Sequence, residues 1–270
     1  MTPQVQAPQL LIGSSPAILG LVAEARMVGN TEASVLITGE SGVGKELLAR
    51  AIHGASARGR MPMMTINCGG IPEALLEPEL FGHPRGSSAG GSGARRGLLD
   101  AAHGGTILLD EIGELSIRVQ TRLLRFLESG EIQRIGGAPG IVDVRVISAT
   151  SRDLYEQTQE GAFRDDLFYR LNVVHLVIPP LRKRREDIGQ LLHYCLEEMS
   201  QRYQRPACEL SPEALAYLMA YPWPGNVSEM KRMAARLSVR RAGRTVSPSD
   251  LPSEVLRPGV EGPTVARAGC

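Results

Sequence analysis

Val35-Leu36-Ile37-Thr38-Gly39-Glu40-Ser41-Gly42-Val43-Gly44-Lys45-Glu46 decides how the rest of the chain is read. A short apolar run, a loop punctuated by glycines, and then Leu47, Leu48, Ala51 and Ile52 at helical spacing spell strand, loop and helix. Gly39, Gly42 and Gly44 let the backbone turn tightly, so that successive N–H groups point inward. The helix that follows offers its positive dipole end, and Lys45 reaches the terminal phosphates. The ligand this implies is a nucleoside triphosphate, held by Gly39, Glu40, Ser41, Gly42, Val43, Gly44, Lys45 and Glu46. A hydroxyl residue usually follows the lysine to hold Mg²⁺, and here Glu46 takes its place.

Composition bounds what such a site can belong to. A chain of 270 residues with ordinary apolar content can bury one good core and a smaller second domain. A net charge of +1 supplies no bulk electrostatic drive toward nucleic acid, although Arg182-Lys183-Arg184-Arg185 and residues 231–244 are locally basic. Such runs are most often solvated faces. Met1 to Leu11 lacks a charged start followed by a long apolar stretch, and no later run approaches membrane-spanning length. The expected setting is the cytoplasm, without a membrane partner. Cys68, Cys195, Cys208 and Cys270 are scattered, with neither ligand-like pairing nor a disulfide framework, so reduced thiols are expected.

Working outward from the loop, Ile18, Leu21, Val22 and Ala25 recur at helical spacing after Ser14, Ser15 and Pro16, which predicts a capped helix ahead of the phosphate strand. Met63 to Asn67 reads as a second strand, and Thr106 to Leu109 as a third that ends in Asp110-Glu111. Two carboxylates at the end of an apolar strand supply the other half of a nucleotide site. Asp110 is placed to hold Mg²⁺ through water and Glu111 to orient or deprotonate the attacking water, because in-line phosphoryl transfer needs both metal and nucleophile positioned.

Leu115 to Leu127 carries helical periodicity, Val142 to Ala149 a fourth strand, Phe163 to Leu171 an amphipathic helix with two arginines, and Val173 to Ile178 a fifth strand. Strands alternating with helices predict an α/β fold, a three-layer domain whose five-stranded parallel sheet is covered on both faces. Helical patterns then dominate: Ile188 to Tyr203, Pro212 to Ala220 and Val227 to Val239. The expected domains are a nucleotide-binding domain over 1–180, an α-helical lid over 181–244, and a flexible tail over 245–270 with contacts near Leu251 and Val255. ATP is expected between the first two.

These motifs, in register along nearly the whole chain, resemble the AAA+ ATPase domain of bacterial enhancer-binding proteins, the activators of sigma-54 RNA polymerase. The resemblance rests on Gly39 to Glu46, including the glutamate; on Asn67-Cys68 followed by Glu79-Leu80-Phe81-Gly82-His83; on Gly104 to Gly113 around Asp110-Glu111; on Phe163 to Leu171; and on Trp223-Pro224-Gly225-Asn226-Val227. It implies a hexameric ring that hydrolyses ATP between subunits with Mg²⁺. Arg164 and Arg170 would enter the neighbour's site as fingers, and Asn67 would interact with Glu111 to gate it. RNA polymerase or a sigma factor is the implied partner, with DNA contact left to a further domain or a partner protein.

Three positions depart from the family pattern. Gly86-Ser87-Ser88-Ala89-Gly90-Gly91 stands where the family has a Gly-Ala-Phe-Thr-Gly-Ala loop that contacts the sigma factor, so the aromatic is lost at Ser88 and the threonine at Ala89. A Gly/Ser loop offers no rigid apolar anchor, and ordering it costs entropy. Ser228 stands where the family usually has an arginine that senses the phosphates, and Ser151 where it usually has an asparagine. Two readings stay open on the residues: a sigma-54-type ATPase, or a nucleotide-gated assembly module that regulates transcription without remodelling sigma-54 and with weak or no ATPase activity.

Overall fold

Val35, Leu36 and Ile37 are almost wholly enclosed, as an apolar run in a sheet covered on both faces must be. In the computed structural model, which describes residues 11–82, 96–132 and 140–256, they form β1 (Val35–Thr38). The other strands are β2 (Met63–Asn67), β3 (Thr106–Asp110), β4 (Glu131–Ile132), β5 (Gly140–Ile141), β6 (Arg145–Thr150) and β7 (Val174–Val177). Five of them make one sheet in the order β2-β3-β6-β1-β7, parallel throughout, while β4 and β5 pair separately and antiparallel. The expected α/β fold with its five-stranded parallel sheet is the one observed.

The chain divides into two compact units. Of the described chain, the first holds Leu11, 20–40, 45–82, 96–132 and 140–178, and its helices are most of α1 (Pro16–Gly29), then α2 (Lys45–Gly54), α3 (Glu73–Phe81), α4 (Leu98–Ala101), α5 (Ile117–Ser129), α6 (Leu154–Gln159) and α7 (Asp165–Leu171). Val119, Leu123 and Leu124 of α5 face the core with Leu167 and Leu171 of α7, as their spacing predicts. Ser15 caps α1 through its hydroxyl, which accepts the Ile18 N–H at 3.4 Å.

Three boundaries differ from expectation for visible reasons. Arg164 does not lie inside the helix but precedes it in extended backbone (φ −79°, ψ 133°). The fourth strand begins at Arg145 rather than Val142, whose N–H is bonded instead to the Gly130 carbonyl (2.9 Å). The fifth is shorter than Val173 to Ile178 by one residue at each end.

The second unit holds residues 12–19, 41–44 and 179–256 of the described chain. Its elements are α8 (Ile188–Tyr203), β8 (Glu209–Leu210), α9 (Pro212–Ala220), α10 (Asn226–Arg240), β9 (Thr245–Val246) and α11 (Ser253–Leu256). Trp223 is fully enclosed at its centre, donates Nε1–H to the Leu218 carbonyl (2.9 Å) and meets Tyr221 edge-on. Residues 245–256, expected to open a flexible tail, are folded here. β9 pairs with β8, Ser247 and Asp250 form a capping box, Arg241 Nε donates to Asp250 (2.7 Å), and Val246, Leu251 and Val255 enter the core. The contacts near Leu251 and Val255 are thus part of a longer ordered run.

Candidate nucleotide-binding site

Parallel strands put their C-terminal ends on one edge, and loops leaving that edge build the ligand crevice of an open α/β sheet. β6 lies between β1 and β3 in the first unit, so the segments after all three meet. Lys45 follows the loop from β1, Asp110 and Glu111 end β3, and Ser151 follows β6. The Lys45 ammonium lies 3.3 Å from Glu111 Oε1 and donates to the carbonyls of Gly39 (3.0 Å) and Glu40 (3.4 Å). Glu111 Oε2 accepts two hydrogen bonds from Ser151, one from its N–H (3.0 Å) and one from its hydroxyl (2.9 Å). Glu111 itself occupies left-handed backbone (φ 51°), which turns its side chain back toward the lysine.

The two carboxylates titrate differently. Burial, then the charge of Glu111, pushes Asp110 above the ordinary carboxylate value. Burial also pushes Glu111 up, but the Ser151 hydrogen bonds and the Lys45 charge outweigh it and hold Glu111 below its ordinary value. Cys68, hydrogen-bonded through its N–H to the Asp110 carbonyl, has its thiol pushed up to about 12 by burial and by both carboxylates, so it stays protonated and unreactive. Among the described residues no cluster of three His, Cys, Asp or Glu forms a metal cage. One half-buried aspartate with water and phosphate oxygens is nonetheless the donor set that Mg²⁺ takes, so Asp110 fits it.

The tip of the loop, residues 41–44, belongs to the second unit. Gly42 (φ 79°) and Gly44 (φ 109°) both take left-handed backbone that the turn requires. A Cβ on Gly42 would stand 2.5 Å from the Gly225 carbonyl and 2.9 Å from Ser228 Cβ. Glu46, at the unusual position after the lysine, pairs with Arg50 one turn on (2.6 Å).

The remaining expected site residues make no hydrogen bond to Lys45, Glu111 or Ser151 among the described residues, although Asn67 stands opposite Asp110 in the register of β2 and β3. The Asn67 amide oxygen accepts the N–H groups of Gly69 (2.9 Å) and Gly70 (2.8 Å), while Glu111 bonds to Lys45 and Ser151, so the two are not joined. Arg164 forks onto Asp166 (3.0 and 2.7 Å), and Arg170 donates to the Leu127 carbonyl (2.9 Å). Neither arginine bonds to Lys45, Asp110 or Glu111 among the described residues. His83, Gly86 to Gly91 with Ser88 and Ala89, and Cys270 lie outside the described residues.

Sequence reasoning missed three side chains. Gln120, fully buried in α5, donates to the carbonyls of Leu115 (2.8 Å) and Ala162 (3.0 Å) and accepts the Arg164 N–H (2.9 Å), fixing where the arginine-bearing helix starts. A polar residue between Val119 and Leu123 on an apolar face was the available signal. The others, Arg184 and Asn226, are enclosed in the second unit, Arg184 in a basic run that reads as solvated surface. Ser151 reads only as a shortened asparagine, although it supplies both hydrogen bonds to one oxygen of Glu111.

A glycine loop opening a helix behind β1, an Asp-Glu pair ending β3 and a helical second unit together define an AAA+ domain of the P-loop class followed by a lid. The chain belongs to the Sigma-54 interaction domain family, which residues 11–177 match, while residues 182–267 match the AAA+ ATPase lid domain. The regulatory protein AtoC of Escherichia coli (strain K12) is 46% identical over 249 residues, covering 92% of this chain and 54% of that protein. The DNA-binding transcriptional regulator NtrC of Klebsiella pneumoniae is 44% identical over 251 residues, covering 93% and 54%. The crystal structure of NtrX from Brucella abortus in complex with ATP superposes with a TM-score of 0.84 at 36% identity, covering 91% of this chain and 55% of that one. The chain thus spans about half the length of the curated relatives it matches.

Proposed function

We propose that this chain binds ATP and hydrolyses it to ADP and phosphate, as the ATP-driven part of a bacterial transcriptional regulator that acts with sigma-54 RNA polymerase. The observation that carries this reading is the joining of Lys45, Glu111 and Ser151 at the sheet edge that also bears Asp110. NtrX, in the same fold, has been crystallised with ATP and with ADP. The loop from Gly39 to Glu46 binds the phosphates through its N–H groups, and Lys45 leaves the Gly39 and Glu40 carbonyls for the terminal phosphates. Asp110 would hold Mg²⁺, which when bound neutralises charge on the phosphates. Glu111, kept ionised by Ser151, orients the attacking water and accepts its proton. Asn67 gates the step only if it gives up the Gly69 and Gly70 N–H groups for Glu111.

Arg164 and Arg170 act in trans in a ring, a hexamer in this reading, which fits their bonding to Asp166 and to the Leu127 carbonyl rather than to their own chain's cluster. Nucleotide binding resides in 1–180. The lid begins at 181 and takes in the residues to 256. The setting is the cytoplasm, and among the described residues no helix is long and apolar enough to cross a membrane. A second reading, a nucleotide-gated assembly module with little turnover, is favoured by the sequence of Gly86 to Gly91 and by Ser228.

Steady-state ATP hydrolysis measured against protein concentration separates the two. Specific activity should rise with concentration and fall on the order of 10³-fold in Arg170→Ala, with Glu111→Ala equally inactive. Tight ATP binding without turnover at any concentration would favour the assembly module.

A further inference from the structure

Within the second unit, three consecutive carbonyls of the phosphate loop accept hydrogen bonds from residues far along the chain. Ser41 accepts from Asn226 Nδ2 (3.0 Å), Gly42 from the Ser228 N–H (3.3 Å) and Val43 from Arg184 Nη2 (3.2 Å). In a planar trans peptide the carbonyl of one residue and the N–H of the next point in opposite directions. Holding the carbonyls of Ser41, Gly42 and Val43 on one side therefore aims the N–H groups of Gly42, Val43 and Gly44 to the other.

We infer that Arg184 and Asn226 are positioning residues for the nucleotide: they fix the outer carbonyls of the phosphate loop so that its N–H groups stand ready for the phosphates. The inference rests on the reading of Gly39 to Glu46 as the phosphate site. Two further observations carry it. Arg184 is 1% exposed, its Nε has no partner, and the hydrogen bond it makes is to the loop. The guanidinium is buried for a single hydrogen bond, with the charge of Asp187 as its electrostatic offset, and that bond goes to the phosphate loop rather than to a helix end. Asn226 is fully enclosed in left-handed backbone (φ 50°), with its amide oxygen fixed by the Leu181 N–H (2.8 Å) so that its nitrogen faces Ser41.

Arg184→Met in the full chain, assayed by calorimetry with ATP and with ADP beside thermal unfolding, tests this. Arg184→Met relieves a buried charge but leaves the single Val43 carbonyl without its donor, so the two effects oppose each other and the chain is expected to stay folded with little change in melting temperature. Affinity for ATP and for ADP should each fall about tenfold, since both use the same N–H groups. The kcat at saturating ATP should change little. Arg184→Lys, which keeps a cationic donor, should recover part of the loss. Asn226→Ala removes the Ser41 bond through a different side chain and should weaken both nucleotides in the same direction. Unchanged affinity in folded Arg184→Met and Asn226→Ala would overturn the inference, as would a loss confined to ATP, which would indicate contact with the terminal phosphate. Failure of the unaltered chain to bind either nucleotide would instead overturn the underlying reading of the loop.

Discussion

Arg145 in the first unit and Arg184 in the second are almost equally enclosed, at 2% and 1% exposure, and each has a buried Nε without a partner. Each directs its guanidinium to backbone, Arg145 to two carbonyls and Arg184 to one, neither has a carboxylate in ion-pair distance among the described residues, and burial lowers the pKa of both. Their partners differ. Arg145 donates to the carbonyls of Val28 (2.8 Å) and Gly29 (3.0 Å), the negative end of α1, where a cation both satisfies orphan acceptors and meets the helix dipole. Arg184 donates to a loop whose carbonyls have no helix to belong to. The same buried charge is thus a cap in one place and a template in the other, and only the second should be felt by a ligand.

The sharpest way to break that contrast is at the loop itself. Gly42→Ala forces a Cβ into left-handed backbone and within 2.5 Å of the Gly225 carbonyl, so the loop must move off the donors that shape it. Nucleotide affinity should fall on the order of 10²-fold while the sheet stays folded. Calorimetry together with circular dichroism checks it, and affinity within threefold of the parent would mean the path of the loop tip matters little. Arg145→Met comes next, with the opposite signature to Arg184→Met. It strands two buried carbonyls at the end of α1 and should cost about 2–4 kcal/mol in urea unfolding, with ATP affinity unchanged under native conditions. If ATP affinity fell and stability did not, the distinction between cap and template would collapse.

Much of the first unit was legible because its signals are local. An apolar run before glycines, an apolar run before Asp110-Glu111 and a helical period from Val119 to Leu124 each carry their own period, and parallel topology then brings their ends together. The loop, Lys45 and the carboxylates could be named for the same reason. What stayed hidden depends on partners distant in sequence. Nothing near Arg184 distinguishes a buried guanidinium from its exposed neighbour Arg185, and nothing near Ser151 shows that its hydroxyl faces Glu111. The fold of residues 245–256 was concealed by composition, since Pro248, Ser249 and Pro252 read as tail although Asp250 closes a capping box. The amphipathic pattern continues through Arg164 and reads as helix there, whereas its N–H is held by Gln120 and its backbone is extended.

The smallest effect reaches Arg145 from another side. His53 of α2 is buried, and its Nδ1 meets the Thr106 hydroxyl at 2.9 Å. Burial lowers its pKa from 6.5, a hydrogen bond involving the Met61 backbone opposes this, and the charges of Arg145 and Arg50 lower it further. With the folded value below the unfolded one, the unfolded chain binds more protons between the two. The contribution of His53 is therefore fully present above pH 6.5 and is lost as pH falls through its folded pKa. The unfolding free energy from urea titrations should decline over that window by less than about 1.4 kcal/mol per pH unit, and His53→Gln should flatten the decline. Arg145→Met should shorten the window from below by letting the folded pKa rise, without touching ATP affinity. An unshifted His53 titration in that variant, followed by NMR, would mean that the Arg145 charge acts on the two carbonyls of α1 and does not reach His53.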